Sequence, residues 1–384
     1  MKESVKKIVT IIGARPQIIK ASAISRAIAT SFKNEINEII VHTGQHYDPN
    51  MSQIFFEELG IPNPTFNINV GSGRHGKQTA KMIEGIEEIL LKENPDVVIL
   101  YGDTNSTIAG SLAASKIHIP IVHIEAGLRS FNKKMPEEIN RISCDHMSSL
   151  LFSPTKQGIL NLKKEGFSTD INKKASMDNP NIYHCGDIML DNSMYFGEKE
   201  HSSELIDSLD LEENNYVLCT IHRDNNTDSE KNLSNILKAL LNCQEETQLK
   251  IVLPLHPRTK NKISELKNQE LVKKLTSNVN IRIIPPAGFI DIIALEKKSR
   301  LIITDSGGLQ KEAYFFKKPC VILREQTEWV EIVENGNAIL TGSDYNKIKA
   351  AITHLISKND FTYPPIFGDG NAGEFICSKI LSDL

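Results

Sequence analysis

Residues 97 to 141, VVILYGDTNSTIAGSLAASKIHIPIVHIEAGLRSFNKKMPEEINR, carry carboxylates at positions where they could move protons. Asp103 follows one short apolar run and Glu125 follows the next. Glu137 and Arg141 come further on, four residues apart, so they share one face of a helix whose first position suits Pro136. Carboxylates in a crevice can act as general acid and base, and an arginine can hold an anion beside them. The plainer alternative is a capping cluster with an i,i+4 ion pair between Glu137 and Arg141.

The elements that would position these groups can be read from periodicity. Runs 97–101 and 119–123 are rich in β-branched residues and are separated by a helix-length segment, 107–116. That pattern predicts a βαβ unit, and ligands of open parallel sheets sit outside the carboxyl ends of the strands. A first strand is predicted at 7–12, ending in Gly13-Ala14-Arg15-Pro16 before an amphipathic stretch, 17–29. Arg15 there stands beside a helix N-terminus and could pair with a phosphate, or simply be exposed. A second strand, 38–42, runs into Thr43-Gly44-Gln45-His46-Tyr47-Asp48. The glycine-rich stretch 71–76, with Arg74 and His75, lacks the spacing of a P-loop. Further strands are predicted at 150–152 and 182–185, with a polar excursion at 168–181 between them.

Apolar periodicity fades between 192 and 215, and a second α/β series follows, with strands at 216–220, 250–253, 281–284, 301–304 and 320–323. The fold class expected is α/β, two doubly wound Rossmann-like domains facing a cleft. Domain one would span 1–195 and domain two 196–370, with a terminal helix, 371–384, packing back across the boundary. The second half has its own site candidates. In LIITDSGGLQKE a buried strand meets a turn in which Ser306, Gly307 and Gly308 would aim N–H groups and a helix dipole at an anion. Glu312, one turn into that helix, could take the two hydroxyls of a ribose. His222 follows the strand at 216–220, and His256 and Arg258 follow the next strand, with a purely structural role the stronger alternative for that last pair.

Composition narrows the classes. The 384 residues, 40% apolar and 24% charged, suit a soluble two-domain protein. A net charge of −4 offers no electrostatic case for nucleic acid or an anionic membrane. The six cysteines are scattered without a C-x-x-C pair, so neither a zinc site nor a disulfide framework is expected. The N-terminus reads as a first strand, not a signal peptide, and no 18-residue apolar stretch exists. A cytoplasmic location is expected.

The motifs GARPQIIK, TGQH, GDTNST, HIEAGLRS, PEEINR, HPR and TDSGGLQKE occur in that order. With them the sequence resembles the non-hydrolysing UDP-N-acetylglucosamine 2-epimerases along essentially its whole length. The resemblance implies the GT-B, phosphorylase-like architecture. It implies a UDP-sugar substrate, no metal, no nicotinamide or other cofactor, and a homodimer. By the same resemblance, Ser306 and Gly307 would hold the diphosphate, Glu312 the ribose, and Phe289 would lie beside the uracil. Arg15 would reach the diphosphate across the cleft. The sugar would face Asp103, Glu125, Glu137, Arg141 and His222. The family eliminates UDP across C1–C2 and adds it back with the proton on the other face, which needs acid/base groups on both faces and cations or N–H groups for the departing diphosphate.

Departures from the family pattern are visible too. Asp48 in GQHYDPNM, Lys77, and HRDNNTD in place of the usual HRREN put activation by a second substrate molecule in doubt. RSFNKKMPEEINR and REQTEWVE look closer to a subgroup acting on UDP-2,3-diacetamido-2,3-dideoxy-glucuronate; its carboxylate would need a cation, for which Arg129, Lys133 and Lys134 are near enough in sequence, although a solvated loop is the stronger alternative for the two lysines. Rival readings are a hydrolysing relative that releases N-acetylmannosamine, a GT-B glycosyltransferase, and a catalytically silent UDP-sugar binder.

Overall fold

Runs such as KKIVTII, VVILY and LIIT carry aliphatic side chains at successive positions, hence on both faces, which suits strands covered by helices on two sides. The computed structural model describes residues 5–45, 56, 59–172, 174–198 and 204–384. The chain forms two units, Met1–Asn192 with Pro365–Leu384, and Ser193–Pro364.

The first unit is built on seven strands, β1 (Lys6–Ile12), β2 (Ile36–His42), β3 (Phe66–Asn67), β4 (Val97–Tyr101), β5 (Ile121–Ile124), β6 (Leu150–Ser153) and β7 (Asn181–His184). Their order is β3-β2-β1-β4-β5-β6-β7, and every pairing is parallel. The second unit has β8 (Tyr216–Thr220), β9 (Lys250–Pro254), β10 (Ile281–Ile284), β11 (Leu301–Thr304), β12 (Cys320–Ile322) and β13 (Ala338–Leu340), in the order β10-β9-β8-β11-β12-β13. Both sheets are therefore doubly wound α/β sheets. Strand order reverses between β1 and β4 in one and between β8 and β11 in the other. Those are the switch points outside which ligands of this architecture bind.

Two short edge strands, β3 and β13, went unforeseen, because two or three residues carry no readable period. The strand expected at 119–123 begins instead at Ile121. Pro120 has no N–H to give the ladder, although its carbonyl accepts from Val98 N at 2.9 Å.

The last helix, Ala372–Asp383, joins the first unit and packs on the helix Arg15–Ser31. It buries Ile376, Cys377 and Ile380 completely. Asp191 caps its start, accepting from Ala372 N at 3.2 Å and Gly373 N at 2.7 Å, and Tyr183 donates its hydroxyl proton to Asp383 near its end. No helix among the described residues is long and apolar enough to cross a membrane.

Candidate active site

Arg15, Asp103 and Glu125 follow β1, β4 and β5, three neighbouring strands that flank the first unit's switch point. Arg15 is exposed, Asp103 half-buried and Glu125 buried. The helix Pro136–Asp145 brings Arg141 to Asp103, and the two form an ion pair. Asn140 of the same helix donates to the Asp103 carbonyl at 2.9 Å. The partner of Arg141 is thus Asp103, not Glu137 one turn away. Burial works against the charge on Arg141, but Asp103, Glu125 and Asp145 together hold it more firmly protonated than usual. Glu137 is exposed at the start of that helix. Its neighbour Glu138 is buried and accepts from Ser130 N and Phe131 N at 2.8 and 2.9 Å, which ties down the loop before the helix.

Glu125 forms an ion pair with Lys20, a residue of GARPQIIK that the candidate set lacks. The signal was present: Lys20 lies five residues after Arg15 in a helix that begins at the same strand end. Glu125 itself adopts φ +74°, a conformation that costs a side-chain-bearing residue energy and marks functional sites more often than others. Gly102, at φ +61°, explains why no side chain precedes Asp103. A Cβ there would lie 2.9 Å from Glu125 Oε2 and 3.4 Å from Lys20 Nζ.

Behind these loops runs a buried ionic chain that the sequence reading missed. His123, fully buried in β5, donates from Nδ1 to Asp145 Oδ1 at 2.7 Å and from Nε2 to the Gly102 carbonyl at 2.8 Å. Burial disfavours its charge, yet the Cys144 sulfur and the Asp145 carboxylate override that and lift the imidazolium to about 10. Asp145 also accepts from Arg129 at 2.7 Å and from Gly127 N at 3.1 Å. Arg129 then grips Glu165 through Nε and a terminal nitrogen, both at 2.7 Å. Arg129, considered above as a partner for a substrate carboxylate, is therefore spoken for, and its side chain is buried. Lys133 and Lys134 are exposed.

In the second unit, His222 and Ser306 follow β8 and β11, the strands on either side of that switch point. Asp305, buried completely, sits between them. It accepts from His222 N and Arg223 N at 3.1 and 3.0 Å, from Asn226 Nδ2 at 3.0 Å, and from His222 Nδ1 at 2.9 Å. Burial would raise its pKa, but the His222 ring and the converging N–H donors hold it below the ordinary carboxylate range. With Nδ1 committed as donor, neutral His222 carries its lone pair on Nε2. Asp305 lies inside the quoted TDSGG motif, where its partner could not be read.

Ser306 occupies the N-cap position of the helix Gly307–Phe315, whose first N–H groups have no partner within the helix. Trp329 Nε1 donates to the Gly307 carbonyl at 3.0 Å, and Arg324 is paired with Glu328 beside Gly307. Gly308 is exposed, and Glu312 is buried one turn on. Phe289 opens the helix Phe289–Lys298 with its ring buried edge-on against Phe196, 5.2 Å between centroids, so little ring surface is left for a base. His256 and Arg258 are occupied locally. His256 caps its helix through Nδ1, accepting from Arg258 N at 3.3 Å, and the Arg258 guanidinium is shared by Asp224 and Asp228 at 2.6 and 2.8 Å. The expected loop residues His46, Tyr47 and Asp48 lie outside the described residues.

Known proteins resemble this chain over nearly its full length. The family model described as UDP-N-acetylglucosamine 2-epimerase matches residues 29–381. A Methanococcus maripaludis protein named UDP-N-acetylglucosamine 2-epimerase homolog is 48% identical over 95% of this chain and 97% of its own length. The Pseudomonas aeruginosa UDP-2,3-diacetamido-2,3-dideoxy-D-glucuronate 2-epimerase is 46% identical, covering 97% and 99%. The crystal structure of the Methanocaldococcus jannaschii UDP-GlcNAc 2-epimerase in complex with UDP-GlcNAc and UDP superposes with a TM-score of 0.82 at 42% identity, covering 97% of this chain and 99% of that one.

Proposed function

Because the chain belongs to the UDP-N-acetylglucosamine 2-epimerase family, we propose that it inverts C2 of a UDP-2-acetamido sugar without net hydrolysis. One observation carries the reading: Asp103, Glu125, Lys20 and Arg141 form two adjoining ion pairs at the ends of β4 and β5, the place where proton transfer would be needed. A C2 hydrogen beside no carbonyl is not acidic, so the route is elimination of UDP to a glycal and re-addition with the proton on the opposite face. Asp103, Glu125 and Glu137 are the groups proposed to move that proton, with Arg141 and Lys20 keeping charge balanced around them. Ser306, Gly307 and Gly308 would take the diphosphate at a helix N-terminus, helped by His222. Glu312 would accept from the ribose hydroxyls.

UDP-N-acetylglucosamine is the substrate this reading favours, since Arg129 is occupied by Asp145 and Glu165. The diacetamido-glucuronate is the second reading, supported by exposed Lys133 and Lys134 and by the Pseudomonas relative. The product would be a manno-configured precursor for surface polysaccharide, made in the cytoplasm by a homodimer. The test is proton NMR in D₂O with each sugar nucleotide separately. Deuterium at C2 of a new manno-configured UDP-sugar supports the reading and names the substrate. Free N-acetylmannosamine would indicate a hydrolysing enzyme, and no exchange with either sugar would overturn the reaction. Asp103→Asn, Glu125→Gln and His222→Ala should each lower turnover at least ~100-fold, and near-normal rates in all three would remove the site assignment.

A further inference from the structure

The loop that carries Asp103 is held from behind. Gly102 precedes it at φ +61°, and the Gly102 N–H donates to the Ile124 carbonyl at 2.9 Å. The Gly102 carbonyl, the oxygen of the peptide unit that joins it to Asp103, accepts from His123 Nε2 at 2.8 Å. The other ring nitrogen, Nδ1, donates to Asp145 Oδ1 at 2.7 Å. Neither acceptor can give a proton back. A carbonyl has none, and Asp145 is kept ionised by the Arg129 guanidinium at 2.7 Å and Gly127 N at 3.1 Å, both on its second oxygen. A histidine that donates from both nitrogens is an imidazolium, so the contacts themselves set the charge of this ring.

Three parts of the site meet at this pair. His123 holds the peptide before Asp103, and Asp145 holds Gly127 in the turn that follows Glu125. Asp145 also ends the helix that carries Arg141, the ion-pair partner of Asp103. Both side chains are 0% exposed, so neither touches a substrate.

We propose that His123 is a positioning residue: its bond to the Gly102 carbonyl fixes the loop that aims the Asp103 carboxylate at C2 of the sugar, and Asp145 orients the ring for that bond. This rests on the proton-transfer role given to Asp103 under the proposed function. Gly102 has no Cβ to limit the rotation of its peptide units, so a hydrogen bond on each side of it supplies the restraint. A shift of about 1 Å at a reacting group costs on the order of 100-fold in rate, which is the effect this restraint would prevent.

Asparagine and glutamine separate the two bonds, since an Asn amide nitrogen reaches where Nδ1 was and a Gln amide nitrogen where Nε2 was. His123→Gln keeps a donor for Gly102 and loses the one for Asp145; His123→Asn does the reverse. Both lose the buried charge, so a merely structural role predicts that they fail alike. C2 deuterium exchange by proton NMR, with UDP calorimetry alongside, reads the difference on the full-length protein. His123→Asn should lose about 100-fold in kcat with UDP affinity near wild type, while His123→Gln keeps most of the rate. Equal rates in the two variants, or UDP affinity falling together with kcat, would overturn the inference. A second measurement uses the wild type and stands even if both variants fail to fold. With ¹⁵N-histidine labelling, His123 should appear at neutral pH as an imidazolium with both N–H protons protected from exchange. His42, the other buried histidine among the described residues, is lowered to about 4 by burial and is neutral there, so the two rings are distinguishable. A bare nitrogen on the His123 ring would overturn the inference. Wild-type protein that exchanges neither sugar, or Asp103→Asn that exchanges normally, brings down the proposed function and this inference with it. Loss of the Asn–Gln contrast beside an active wild type and an inactive Asp103→Asn brings down the inference alone.

Discussion

A histidine at a strand end has two neutral tautomers, and Asp305 selects one of them for His222. By accepting from Nδ1 at 2.9 Å it leaves Nε2 as the basic atom, and by accepting from His222 N and Arg223 N it fixes the backbone that carries the ring. Asp305→Asn should therefore cost up to about 10⁴-fold in kcat, by analogy with buried acids that orient a catalytic histidine. UDP binding to the Ser306–Gly308 turn should change far less. A variant with normal kcat would show that the contact is only structural. The same residue makes a stability prediction with a definite sign. Its folded pKa lies below the ordinary 3.8, so its contribution is complete above that value and is lost as pH falls through the folded pKa. The acid limb of the unfolding curve should flatten in Asp305→Asn.

At the scale of elements, the motif residues that do no chemistry wire strand ends together. Gln17 accepts from Gly13 N at 2.9 Å and donates to the Tyr101 carbonyl at 3.0 Å, joining the turn after β1 to β4. Gln45 accepts from Ser106 N at 3.0 Å, joining the loop after β2 to the one after β4. Gly13 is obliged to be glycine, for a Cβ would come within 2.1 Å of both Thr43 Oγ1 and Ser106 Oγ. The buried chain His123–Asp145–Arg129–Glu165 braces the same loops from below. With a folded pKa raised from 6.5 to about 10, the His123 imidazolium stabilises fully below 6.5, and that stabilisation disappears as pH climbs to about 10. His123→Gln should start about 3–5 kcal/mol lower in stability, because Asp145 loses a buried charged partner. It should also lack the decline between those two pH values. Urea unfolding across that range is the measurement, and an unchanged slope would contradict the assignment of charge to His123.

For the whole molecule, the chain returns at its end to the unit where it began. The helix Ala372–Asp383 supplies Ile376 and Ile380 to the first unit's interior, both 0% exposed, and lies so close to the helix Arg15–Ser31 that a Cβ on Gly373 would reach within 3.0 Å of the Ala23 carbonyl. Ile380→Ala should cost about 2–5 kcal/mol. That loss should depress the melting temperature and weaken activity through the helix Arg15–Ser31, which carries Arg15 and Lys20. A melting temperature unchanged by the substitution would mean that the terminal helix is dispensable to the first unit.

Local signals settled a good part of this protein. Aliphatic runs cut by glycine turns specify parallel strands, because only buried two-faced strands tolerate that composition. Acids placed just after such runs are carried to the carboxyl ends of the sheet by the connectivity alone, as Asp103 and Glu125 are. Partners could not be read the same way. Asp103 chose Arg141, Glu125 chose Lys20 and His123 lies against Asp145, and these pairs join residues between 22 and 105 positions apart. Sequence spacing predicts contact only within a helix turn or along a strand. At longer range, strand order and the burial of each charge decide which groups meet, and both belong to the assembled fold.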